Sequence, residues 1–104
     1  MHLLGRWQAR IESQAQPVAV LLEKSPEFSE GVAGQAERPG QRTWLAGDVD
    51  DDLVQLEESE DGVHISATWS GHFSAGSCAH EITGTWQAAG SSQEHRFVLR
   101  KLAP

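Results

Sequence analysis

The stretch Ile65-Ser66-Ala67-Thr68-Trp69-Ser70-Gly71-His72-Phe73 alternates without a break. Ile65, Ala67, Trp69, Gly71 and Phe73 fall on one side. His64, Ser66, Thr68, Ser70 and His72 fall on the other. Successive side chains of an extended chain point to opposite faces, so a period of two marks a half-buried β-strand. Working outward, the same period recurs. Leu3, Gly5, Trp7, Ala9 and Ile11 oppose Arg6, Gln8, Arg10 and Glu12. Ile82, Gly84 and Trp86 oppose Glu81, Thr83 and Thr85, and Phe97 and Leu99 oppose Arg96, Val98 and Arg100.

Weaker strand-like runs lie between, at Val18–Glu23, Val32–Glu37, Thr43–Val49 and Leu53–Glu57. Turn-forming pairs separate them: Gln16-Pro17, Ser25-Pro26, Glu30-Gly31, Pro39-Gly40, Asp61-Gly62, Ala75-Gly76 and Gly90-Ser91. Asp61-Gly62 is a hairpin signal. Pro26–Glu30 is the one stretch that reads as a helical turn. Eight short strands in sequence, spaced by about a dozen residues, are expected to form an all-β, single-domain (1–104), eight-stranded antiparallel up-and-down meander β-barrel. Closure would remove the exposed edges, and an open sandwich is the alternative.

The chain has 104 residues, 38% of them hydrophobic, which allows one modest core. Four tryptophans supply much of the burial. Cys78 is the one cysteine, so no disulfide within the chain holds the fold. The start, Met1-His2-Leu3-Leu4-Gly5-Arg6-Trp7, lacks a basic region followed by an apolar run. A cytoplasmic location is therefore expected ahead of a periplasmic one. Net charge is −7, and Asp48–Asp61 holds eight acids and no base. Such a surface repels nucleic acid and anionic membranes, so neither is expected as a partner, and a charged partner should be basic.

At this point the residues resemble a known family. Gly5-Arg6-Trp7 is similar to the Gly-x-Trp that opens the barrels of lipocalins and avidins. The resemblance implies that a basic residue of the last strand, Arg100 or Lys101, lies over that tryptophan at the closed end. Arg42-Thr43-Trp44-Leu45-Ala46-Gly47 resembles the Arg-x-x-Leu-x-Gly strand of the avidin/streptavidin family. Ala67-Thr68-Trp69-Ser70-Gly71-His72-Phe73 resembles its Thr-Trp-Ser-Gly-x-Tyr stretch, and Ile82-Thr83-Gly84-Thr85-Trp86 its next tryptophan strand. Ser13, Trp69 and Trp86 then match biotin-site positions. The rest of that site departs. Ala9 stands for an asparagine, Ala36 for a tyrosine, Arg38 for a serine, and Ile65 and Ala67 for a serine and a threonine. The family's late tryptophan and aspartate find no match. An unpaired buried polar group costs roughly 1–3 kcal/mol, so tight biotin binding is not expected. The resemblance also implies barrel-to-barrel packing into a homo-oligomer.

The residues support three classes of function. The first is a non-enzymatic binding module. It would hold a small apolar or aromatic ligand at the barrel mouth between Trp44, Trp69 and Trp86, oriented by Ser13, Ser66 or His80. Against it stands an interior filled by those same rings, since eight strands leave just enough room for side chains. The second is an interaction or inhibitor module docking a basic partner through segment 48–61, led by Asp48, Asp50, Asp51 and Asp52. The plain alternative is a solvated surface that aids solubility. The third is an enzyme using Cys78 and His80, which an unbroken strand would place on the inner face. A nucleophile–base pair or two metal ligands would follow, against a structural cysteine and a hydrogen-bonded histidine. No catalytic signature accompanies them, so no enzyme activity, cofactor or metal is expected. His64 and His72 lie roughly 26 Å apart along one strand, too far for one metal, and are expected to face solvent. Asp48–Asp52 lacks the glycine and glutamate that a calcium loop needs, with Leu53 and Ser59 at those positions.

Overall fold

The structure is a computed structural model that describes residues 3–28 and 30–102. Eight strands follow one another: β1 (Gly5–Ile11), β2 (Val18–Lys24), β3 (Gly31–Arg38), β4 (Gln41–Asp50), β5 (Leu53–Ser59), β6 (Ile65–Phe73), β7 (Glu81–Ala88) and β8 (His95–Lys101). Each pairs antiparallel with the next, and β8 returns to β1 with Trp7 opposite Lys101 and Ile11 opposite Phe97. The sheet is a closed up-and-down barrel, and the open sandwich is excluded. Beyond the last strand, Leu102 still donates its N–H to the Arg6 carbonyl (2.9 Å).

The turns sit where residue chemistry allows them. Asp51 adopts a φ of 56° between β4 and β5, a left-handed conformation that aspartate tolerates better than most residues. Between β5 and β6, Asp61 Oδ1 accepts the N–H groups of Val63 and His64 (both 2.8 Å), and Gly62 takes a φ of 81°. Among the described residues of Pro26–Glu30 no helix forms. Ser25 Oγ instead accepts the N–H groups of Glu27 and Phe28, and Ser29 lies outside the described residues.

Inward positions fill the barrel. Trp7, Ala9 and Ile11 meet Val18, Val20, Leu22, Val32, Leu45, Val54, Leu56, Trp69, Ile82, Phe97 and Leu99 in one buried cluster. Gly71 pairs with Gly84 across β6 and β7. A Cβ on Gly71 would lie 3.0 Å from Phe97 Cζ, and one on Gly84 would overlap the Ser70 carbonyl. Gly84 thus lets β7 approach β6, and Gly71 leaves room for Phe97 to meet Trp69 edge-on, with centroids 5.0 Å apart at 68°.

One end of the barrel carries the β2–β3, β4–β5 and β6–β7 connections. There Trp7 donates its indole N–H to the Leu3 carbonyl (2.9 Å), and Lys101 Nζ lies 5.5 Å from the centre of its ring. Lys101 is thus the base over the first tryptophan. Arg100 turns outward to Glu81 (3.2 Å).

Two runs break the expected parity. A bulge where β5 meets β6 sets Ser59 opposite Ile65 while Glu58 stays opposite Ala67, and it turns Ile65 out to 49% exposure. Ser74–His80 is not a continuation of β7 but a turn-rich connection, with Cys78 at a φ of 54° and Ala79 at 63°. Cys78 and His80 are both exposed there and share no inner face.

Candidate functional site

The opposite end carries the β1–β2, β3–β4, β5–β6 and β7–β8 connections, and its chemistry differs. The inward series of β5 runs Val54, Leu56, Glu58, so period two delivers a carboxylate into the barrel. The Glu58 side chain is only 3% exposed. A buried charge needs partners, and five donors converge on it. Arg38, the last residue of β3, places Nη1 2.6 Å from Oε2 and Nη2 3.3 Å from Oε1. Thr43, near the start of β4, donates its hydroxyl to Oε2 (2.6 Å). Trp69 of β6 and Trp86 of β7 donate their indole N–H groups to Oε1, at 2.9 and 3.1 Å. Gln14 Oε1, from the β1–β2 turn, accepts the Arg38 Nε–H at 2.9 Å.

This arrangement sets the charge state. Burial pushes the Glu58 carboxyl up and is the largest single influence. The hydrogen bonds from Arg38 and Thr43, the Arg38 charge and the Trp86 indole together outweigh it. The group is held below its ordinary value and stays ionised.

Above the carboxylate opens a cavity of about 360 Å³. Gln14, Arg38, Gln41, Glu60 and Ser66 line it together with Glu58, and Trp86, Ala67 and Ala88 make the wall polar and apolar in equal measure. Gln41 donates its amide N–H to Glu60 Oε1 (2.7 Å) and ties the start of β4 to the β5–β6 connection. The space below Glu58 is the packed core.

The residues singled out from the sequence separate. Trp69 is buried beside Glu58, and Trp86, half-buried, lines the cavity. Ser13 lies exposed at the same end, next to Gln14. Trp44 faces outward, 48% exposed, because β4 turns Thr43 and Leu45 in. The three tryptophans therefore do not enclose one pocket. His80 sits at the other end of the barrel and orients nothing at the mouth.

Asp48 and Asp50 lie on the outer face of β4, and Asp51 and Asp52 form the turn after it. All four are exposed. Glu58, a member of the same acidic run, is not part of that surface. A second hollow, about 610 Å³, lies on the outer wall where exposed Phe28 and Leu53 sit among Glu30, Asp48 and Asp50.

Glu58, Arg38 and Thr43 were not singled out as site residues. The signal was present in the period: Glu58 follows Val54 and Leu56, Arg38 follows Ala36, and Thr43 precedes Leu45, each at a step of two. No protein-family model matches this chain, and no curated protein matches it.

Proposed function

We propose that this protein is a non-enzymatic binding protein that takes a small ligand at the open end of its barrel. One observation carries this: an ionised carboxylate, buried and held by two indoles, a hydroxyl and a guanidinium, forms the floor of a cavity open to solvent. Ligand sites combine a shaped hollow with a few fixed polar groups, and this mouth has both. Binding fits better than acid–base catalysis. Glu58 is held charged, and its lone pairs are already engaged, which suits an anchor rather than a proton acceptor. The mixed wall favours a ligand with a polar head at the Glu58–Arg38 pair and a flat body against Trp86.

Kinship with avidin-like and lipocalin-like barrels is part of the proposal. Its support is the Gly5-Arg6-Trp7 opening with Lys101 over the ring, and Trp69 and Trp86 at the mouth. Arg38 replaces a serine of the biotin site and occupies the space with its own side chain, so biotin is not the proposed ligand.

The test is a titration with a library of small polar and aromatic compounds, followed through the indole N–H resonances of the four tryptophans. Saturable shifts at Trp69 and Trp86, with Trp7 unmoved, are expected. Shifts confined to Trp44 or to none would overturn the reading.

A second proposal concerns the outer hollow. Exposed Phe28 and Leu53 framed by Glu30, Asp48 and Asp50 suit a basic partner with an apolar anchor. A lysine-rich peptide carrying one leucine should bind in a salt-dependent way and lose binding on Asp48→Lys with Asp50→Lys. Unchanged binding in the variant would sink this proposal.

A further inference from the structure

We infer that the open-end site is a receptor for guanidinium-type cations, and that Arg38 is its built-in occupant. The inference rests on the binding proposal above and names the ligand class.

A carboxylate offers about four lone-pair directions. Glu58 already receives five donors, so a ligand reaches it only by replacing one. The five donors belong to four side chains, and three of these are placed more firmly than the fourth. Thr43 and Trp69 are buried, and Trp86 is held in the wall by strand β7. Arg38 enters from the rim, beside the exposed Pro39-Gly40 turn, with its side chain 14% exposed. Rotation about its own side-chain bonds takes it out to solvent without moving a strand.

What Arg38 would leave behind defines its substitute. Oε2, which keeps only the Thr43 hydroxyl, has a lone pair open for one close N–H, and Oε1, which keeps both indoles, takes a second at the longer range it now allows Arg38 (3.3 Å), which is the fork of a guanidinium or amidinium. Gln14 Oε1 is the acceptor for a third N–H on the substituted nitrogen. The remaining donors on Glu58 are neutral, so the replacement must carry positive charge to balance a buried anion. Glu60 on the rim adds a second carboxylate, and Trp86 offers an aromatic surface to a cation. Anions are disfavoured by the same groups.

The experiment uses the whole chain, wild type and Arg38→Ala, titrated with methylguanidinium, methylammonium, methylurea and acetate. Concentrations stay near ~10 mM, far below the molar range in which guanidinium denatures. The readouts are the Trp69 and Trp86 indole N–H resonances and the thermal midpoint. In Arg38→Ala, methylguanidinium should shift both indoles saturably and raise the midpoint. Methylammonium should do so more weakly, and methylurea and acetate not at all. Wild type should need at least about tenfold more methylguanidinium, because a tethered group competes at millimolar effective concentration. In Arg38→Ala with Glu58→Gln, the preference for methylguanidinium over methylurea should vanish.

Equal shifts from methylurea or acetate would overturn the cation inference while leaving a binding mouth in place. No shift from any probe in Arg38→Ala would also overturn it, and the library titration decides the binding proposal separately. If Arg38→Ala does not fold, Arg38→Lys keeps a cation but loses the fork. It should bind methylguanidinium more tightly than wild type does, and equal or weaker binding would overturn the inference.

Discussion

The two ends of this barrel solve the same problem with different parts. Each buries a tryptophan indole, and each brings a cation to it. At the closed end the Trp7 N–H goes to the Leu3 backbone carbonyl, and Lys101 lies over the ring face. At the open end the Trp69 and Trp86 N–H groups go to a side-chain carboxylate, and the Arg38 cation pairs with that carboxylate instead of the rings. A backbone carbonyl cannot leave, and the hollows that touch Trp7 are lined with it by β1–β3 residues such as Ala19 and Glu37 and by Leu102, whereas the one at the open end has the Glu58 carboxylate in its own lining. Side-chain partners can be exchanged. The closed end is built as permanent structure, and the open end as a set of contacts that a ligand can share.

The largest expected effect is at the permanent end. Trp7→Ala removes a fully buried ring and should cost about 3–5 kcal/mol in denaturant unfolding, with no recovery on adding small cations. Arg38→Ala breaks a buried ion pair, for which about 3–5 kcal/mol is usual, and the partial exposure of Arg38 places it near the lower figure. Unlike the first loss, this one should be partly reversed by methylguanidinium. Combining Arg38→Ala with Glu58→Gln should cost less than the two single changes added together. The coupling is expected at about 1–3 kcal/mol and is measured by a double-mutant cycle.

Acid should separate the ends as well. The folded Glu58 value is lowered from 4.5, so its contribution is present above the unfolded value and is lost as pH falls through the folded one. No carboxylate contacts Trp7 among the hydrogen bonds of the described residues. On acidification the Trp69 and Trp86 indole resonances should therefore shift before that of Trp7. Simultaneous loss of all three would show that the ends are not independent. The smallest effect is expected from Lys101→Met, which keeps the stem and removes the cation over the ring, at about 0.5–1 kcal/mol in thermal or denaturant unfolding.

The barrel was legible because most of its inward positions are apolar and recur at a step of two. Trp7, Ala9, Ile11 on β1 and Phe97, Leu99 on β8 announce their faces without help from tertiary structure. The site was not legible because it inverts that code. On β4 the buried residue is Thr43 and the exposed one is Trp44, so hydrophobicity points to the wrong face. Glu58 sits among acids that face water, and only its step from Leu56 distinguishes it. Its burial becomes affordable once Arg38, twenty residues earlier, arrives across the mouth, and that pairing depends on the register of the three strands β3, β4 and β5. Cys78 and His80 failed in the opposite direction. Their spacing suits a strand, but Gly76 and two left-handed residues make the segment a loop.

The seam between β1 and β8 has a consequence for engineering. Because β8 runs antiparallel to β1, and the Leu102 N–H is bonded to the Arg6 carbonyl, the start of β1 and the end of β8 lie side by side at the closed end. A short linker there would join them and allow the chain to be cut elsewhere. Exposed turns tolerate such cuts best. Opening it at Pro39-Gly40 would leave Arg38 beside a new chain end, on a strand still paired to β2 as far as Glu37 but released from its hairpin. A circularly permuted protein of this kind would keep its walls and carry an untethered plug.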